Sequence, residues 1–176
     1  MLEIILGIVV GVSILLLIFS IINDKFQLAN IKIDKAQEDI SLYLQKKEEL
    51  LNRTKPIIKK ELKLKEFLLD LDTISVEASN FDVHMQLKKA YNEFFKIIDE
   101  NEKLLKSKSM VKILEELDEN EENIVGSIRF YNDTVVDYNQ LVIAFPSSIV
   151  AFFKRYKKKD FYNNEKREIL NRIDNK

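Results

Sequence analysis

The sequence predicts an all-α protein, with an N-terminal transmembrane helix followed by an elongated antiparallel four-helix bundle. Three observations point there. Residues 4–22 form a run of 19 without a charge, in which only Ser13 and Ser20 carry polar side chains. About 20 apolar helical residues span the ~30 Å hydrocarbon core of a bilayer. Outside that run the chain has one glycine, Gly126, and two prolines, Pro56 and Pro146, too few turn residues to separate the short strands of a sheet. Apolar residues also recur at alternating spacings of four and three over long stretches, the seam of helices packed at a shallow angle.

The first element, residues 1–23, reads as an uncleaved anchor. No Lys or Arg precedes the apolar run, which is longer than a secretory h-region and ends in Ile21-Ile22-Asn23-Asp24-Lys25 without a small-residue cleavage site. Gly7 and Gly11 form a small-xxx-small spacing that lets two transmembrane helices approach closely, which makes self-association a candidate. Lys25, Lys32 and Lys35 follow the run, so the positive-inside rule places the N-terminus outside and the remainder in the cytoplasm.

Residues 24–146 read as the bundle. Ile22, Phe26, Ala29, Ile33, Ala36, Ile40, Tyr43, Lys47, Leu50, Thr54 and Ile57 keep the four-three spacing, diluted only by Lys47 and Thr54. Pro56 marks a kink or break, followed by a second stretch from Ile57 to about Leu71. The Asp, Thr, Ser and Asn residues of 70–80 read as a connection. Helix resumes at Phe81 and runs to about Leu105, with Leu87, Tyr91, Phe94, Phe95 and Ile98 on one face.

The clearest helix runs from Ser109 to Phe145. Met110, Leu114, Leu117, Glu121, Ile124, Ile128, Tyr131, Val135, Tyr138, Val142 and Phe145 alternate four and three, with Glu121 the one interruption. Ser107 or Ser109 caps its start, and Phe145-Pro146 stops it, because proline disfavours helix in the residue before it. Whether Pro56 breaks the first helix decides between three and four soluble helices. Four returns the chain to the membrane at Pro146.

Composition narrows the function classes. The chain is 46 % hydrophobic and 32 % charged with a net charge of −1, too apolar for disorder and too balanced for general attraction to nucleic acid. It has no cysteine, which excludes disulfides, lipidated cysteine and thiolate metal sites.

The stretch Arg129-Phe130-Tyr131-Asn132-Asp133-Thr134-Val135-Val136-Asp137-Tyr138-Asn139, followed by Phe145-Pro146-Ser147-Ser148-Ile149, resembles the signature of the LemA family. Leu117-Asp118-Glu119-Asn120-Glu121-Glu122-Asn123-Ile124 is similar to the family's L-x-x-x-E-x-x-I run, and residues 36–50 to its first-helix motif. The family's first-helix proline is replaced by Asn52, and its Tyr-Pro before the last helix is absent. The resemblance implies a bacterial, membrane-anchored, elongated four-helix bundle and no reaction.

Tyr131-Asn132 and Tyr138-Asn139 lie seven residues apart, so both asparagines share one helix face beside the tyrosine seam. Two readings fit them: amides that hydrogen-bond within the protein, and a stripe that contacts a ligand. His84 is the one histidine, without the second His or Cys a metal site uses. Asp118, Glu119, Glu121 and Glu122 read as a solvated helix face. No nucleophile–base pair, phosphate loop or nucleotide fingerprint is present, so neither an enzyme, a metal nor a cofactor is expected.

The last segment, 147–176, is a basic-aromatic tail. Phe152, Phe153, Lys154, Arg155, Tyr156, Lys157, Lys158 and Lys159 mix aromatics with five cations. Such segments bind anionic headgroups, each cation adding about 1 kcal/mol near the surface. The other reading is a short helix that closes the bundle. The expected role is a non-enzymatic scaffold or interaction module with protein partners at the bacterial inner membrane. The alternative is a ligand-binding sensor or envelope-stress component with a small-molecule site between helices.

Overall fold

A computed structural model describes residues 1–63, 67–68, 71, 74 and 79–162. Among them the chain is helical: α1 (Leu2–Leu62), α2 (Asn80–Glu100), a 3-10 turn (Glu102–Lys106), α3 (Lys108–Ile143) and α4 (Ser147–Lys154). There are two compact units, residues 1–35 with 130–176, and residues 36–129.

Pro56 does not break the first helix, which continues to Leu62. The proline is exposed, while Leu50, Leu51, Thr54 and Ile58 on either side of it are fully buried. Burying a Leu or Ile side chain is worth about 1.5–3 kcal/mol, so several of them outweigh one missing backbone hydrogen bond. Thr54 turns its hydroxyl back to the Leu51 carbonyl at 2.6 Å and sits in the seam without an unmet polar group. The helix expected from Ile57 to Leu71 ends at Leu62, and most of residues 70–80 lie outside the described residues.

In the unit of residues 36–129, three helices share a core of Ala36, Ile40, Leu44, Leu50, Leu51, Ile58, Leu87, Ala90, Phe94, Ile98, Met110, Ile113, Leu117 and Ile124. Asn80 Nδ2 donates to the Gln37 carbonyl at 3.0 Å and Lys47 lies over the Tyr91 ring, so α2 runs parallel to α1. Lys47 meets Glu121 and Arg53 meets Glu116, so α3 runs antiparallel to it. Ser79 caps α2 through the Asp82 amide, and Ser107 Oγ accepts from the Met110 amide at 3.5 Å at the start of α3.

The two interruptions of the seams meet each other. Lys47, 1 % exposed, donates to Glu121 and stands 4.2 Å from the Tyr91 ring centroid. Burial lowers the Lys47 pKa even though Glu121 pulls it upward. Glu121 is thus partly buried rather than a member of a solvated acidic face. Asn120, fully buried, donates across the same packing to the Tyr43 carbonyl at 2.9 Å.

In the other unit, residues 2–21 of α1 are exposed apart from half-exposed Phe19, and burial begins at Ile22. A helix with 18 consecutive residues of mean hydropathy 3.1 and no burial is long and apolar enough to cross a membrane. Phe26, Ala29 and Ile33 of α1 and Tyr131, Val135 and Tyr138 of α3 are buried in this unit, where the Phe26 ring meets the edge of Tyr138. Phe145, expected in the seam, is 82 % exposed, because α3 stops at Ile143 and Pro146 leads into α4 at 90° to it.

Candidate functional site: a clamp on the returning chain

The Tyr-Asn pairs of α3 hold the segment after α4. Asn139 grips Lys159 on both sides of its backbone, donating from Nδ2 to the carbonyl at 2.9 Å and accepting the amide N–H at 2.8 Å. One turn pair earlier, Asn132 Oδ1 accepts the Tyr162 amide at 2.9 Å, and the Tyr131 hydroxyl donates to the Asp160 carbonyl at 3.1 Å. The spacing has a geometric reason. Seven helical residues advance about 10.5 Å, and three extended residues cover about 10 Å. Asn132 and Asn139 therefore match Tyr162 and Lys159 on a chain laid antiparallel along the helix.

Aromatic rings lock the same segment onto α1. Phe26, fully buried, stacks on Tyr156 with centroids 4.5 Å apart and meets the edge of Tyr138 at 5.5 Å. The Tyr156 hydroxyl donates to Asn23 Oδ1 at 3.1 Å. Tyr131 meets Tyr162 edge-on at 6.1 Å, and Lys159 Nζ lies 5.4 Å from the Tyr138 ring centroid. Burial raises the Tyr138 and Tyr162 pKa values, so both phenols stay protonated and able to donate at neutral pH.

The predicted residues are thus brought together in part. Tyr131, Asn132, Tyr138, Asn139 and Lys159 converge, with the amides engaged by main chain. Pro146 sits at the bend between α3 and α4. Phe152 and Phe153 are 81 % and 70 % exposed, and Lys154, Arg155, Lys157 and Lys158 are exposed with them. Gly7 and Gly11 are exposed, with no atom of the chain near the place a Cβ would take. Sequence reasoning missed Asn23 and Phe26 as the α1 half of the clamp, and Tyr156 as the residue they hold. The signal was there in Tyr156 and Tyr162, aromatics in a polar segment opposite two Tyr-Asn pairs.

A groove of about 510 Å³ opens beside the clamp. Leu28, Phe130 and Leu141 line it, with Lys25 and Lys32 on the α1 side and Asp133 and Asp137 on the α3 side. Among the described residues, no three His, Cys, Asp or Glu side chains gather as a metal site.

The LemA family profile matches residues 36–174, most of the chain and all of the Tyr-Asn region. The chain belongs to the LemA family. No curated protein matches it. In this LemA chain the motif residues Tyr131, Asn132 and Asn139 bind the chain's own backbone.

Proposed function

We propose that this LemA protein is a non-enzymatic, membrane-anchored scaffold at the inner membrane of a bacterium, with its N-terminus outside and the helical units in the cytoplasm. The observation that carries the reading is α1 itself. One unbroken helix begins as an unburied apolar segment and becomes, from Ile22 onward, a buried strut of the folded protein. An anchor continuous with the core holds the protein close to the bilayer. Lys25, Lys32 and Lys35 favour the stated orientation.

The docking surface is the groove between α1 and α3, and its occupant is an amphipathic partner helix. Its apolar floor is flanked by cations on one side and carboxylates on the other, which fits a helix whose apolar stripe is flanked by acid and base. The exposed cations of the tail supply a contact to anionic lipid. The groove volume also lies in the usual range for small-molecule pockets of about 300–1,000 Å³, and a sensor reading is the second occupant the test distinguishes.

A photo-crosslinking residue placed at Phe130 in cells tests the docking reading, with the same residue at exposed Val125 as control. The expected result is a discrete protein adduct from position 130 only, lost when Asp133→Lys and Asp137→Lys are introduced. Adducts equal at both positions, or insensitive to the charge reversal, overturn it. A topology reporter at each terminus tests the orientation.

A further inference from the structure

We propose that α4 is an interfacial helix that lies flat on the bilayer, inserting its phenylalanine face into the headgroup–acyl boundary of an anionic membrane. The proposal rests on the anchored reading above and adds the element, the face and the depth.

Four observations converge on it. First, α4 is apolar on two sides. Ser147, Val150 and Ala151 are buried against the unit, while Ile149, Phe152 and Phe153, at i, i+3 and i+4, form a second face left in the open. Phe145, just before the bend, is 82 % exposed as well. A helical face of three large apolar residues at this spacing is how a helix meets an apolar partner.

Second, its height is fixed. Tyr156, two residues beyond α4, hydrogen-bonds Asn23 and stacks on Phe26. Asn23 is the residue directly after the apolar run, and Phe26 is about 4.5 Å further along the helix at 1.5 Å per residue. The polar zone on each side of the hydrocarbon core is about 5–7 Å deep. The end of α4 is therefore pinned to α1 at the level where hydrocarbon gives way to headgroups.

Third, its direction is right. α1 and α3 run side by side along the groove they line together, and α4 turns 90° from α3. A span tilted by about 20° leaves α4 close to the membrane plane. Fourth, Lys154, Arg155, Lys157 and Lys158 are exposed at its C-terminal end, at the depth where anionic headgroups reside. Lys159 is not part of this set, because its ammonium lies over Tyr138.

The protein has no tryptophan, so Phe152→Trp creates a single fluorescent reporter in the full chain. It is reconstituted in vesicles of phosphatidylcholine and phosphatidylglycerol whose acyl chains carry bromine near the headgroup or near the terminal methyl. The expected result is blue-shifted emission that loses most of its intensity with the shallow bromines and little with the deep ones. Val125→Trp, in the other unit, should emit as a hydrated indole and keep its intensity, with unchanged far-UV circular dichroism in both variants. Replacing Lys154, Arg155, Lys157 and Lys158 by Gln, or omitting phosphatidylglycerol, should reduce the shallow quenching.

A red-shifted, unquenched reporter at position 152 in a chain that only detergent extracts overturns this proposal while leaving the anchored reading intact. Release of the chain by high salt overturns the anchored reading first. Quenching equal with and without phosphatidylglycerol removes the anionic surface from the proposal, and deep quenching removes the interfacial depth.

Discussion

Replacing Glu121 by leucine should destabilise the protein far more than replacing its partner Lys47 by methionine. The Lys47 side chain is 2 % exposed and that of Glu121 32 %. Glu121→Leu strands an ammonium in the core, over the Tyr91 ring and without its carboxylate. Removing one partner of a fully buried pair costs about 3–5 kcal/mol. The exposed edge of Glu121 already returns part of that interaction to solvent, so about 2–3 kcal/mol is expected here. Lys47→Met instead leaves a carboxylate that can turn to water, and the variant should stay within about 1 kcal/mol of the parent. The double variant should be as stable as the parent or more so, because an apolar pair needs no desolvation of charge. Thermal unfolding in detergent micelles, followed by far-UV circular dichroism, reads the difference. A loss of 2–3 kcal/mol lowers Tm by roughly 4–12 °C in a chain of this size. If Glu121→Leu and Lys47→Met prove equally harmful, or if the double variant melts below Glu121→Leu, the buried ammonium is not what the pair neutralises.

Other consequences follow from the same packing. Burial, then Lys47, lowers the His84 pKa from its ordinary value of 6.5, against an opposing pull from Glu121 and with a further push from Lys88. The unfolded chain then binds a proton that the folded chain resists, so stability is full above about pH 6.5 and declines as pH falls below it; His84→Gln should flatten that part of the Tm-versus-pH curve, and an unchanged slope would contradict the assignment. Asn139→Leu removes both bonds to the Lys159 backbone and should cost about 1–3 kcal/mol locally, read as faster amide exchange at Lys159 with none in residues 36–129. Pro56→Ala restores the amide that the Asn52 carbonyl lacks and should stabilise α1 by up to about 3 kcal/mol, with a higher Tm; a lower one would mean the proline is structurally required.

Much of the fold was legible because long helices write themselves into spacing. Most positions of the four-three seams of Ile22–Ile57 and Met110–Val142 are buried in α1 and α3, with Tyr43, Ile57, Leu114, Glu121, Ile128 and Val142 half-buried, and Ser107 capped α3 as its position suggested. Local rules failed where tertiary burial outweighed them. Pro56 reads as a breaker, but Leu50, Leu51, Thr54 and Ile58 hold the helix through it. The direction of α2 was not legible. Nothing in its amphipathic pattern distinguishes parallel from antiparallel packing, and α2 runs parallel to α1.

The candidate site was legible in residues and not in partners. The repeat of Tyr-Asn seven apart marked one face of α3, and in the structure these residues hydrogen-bond the main chain of residues 159–162. Lys47 and Glu121 looked like flaws in two separate seams, since pairing across helices leaves no trace in either helix alone. The aromatic character of the tail was evident, but which rings face inward was not. Tyr156 and Tyr162 pack on the unit, whereas Phe152 and Phe153 point away from it.

The central claim is that residues 4–22 hold this LemA protein in a bilayer through the same helix that organises its folded units. Fractionation of cell membranes tests it most directly, by washing them with high salt, then alkaline carbonate, then detergent. The full chain should remain in the pellet through the first two washes and enter solution only with detergent. Its appearance in the high-salt or carbonate supernatant would contradict the account.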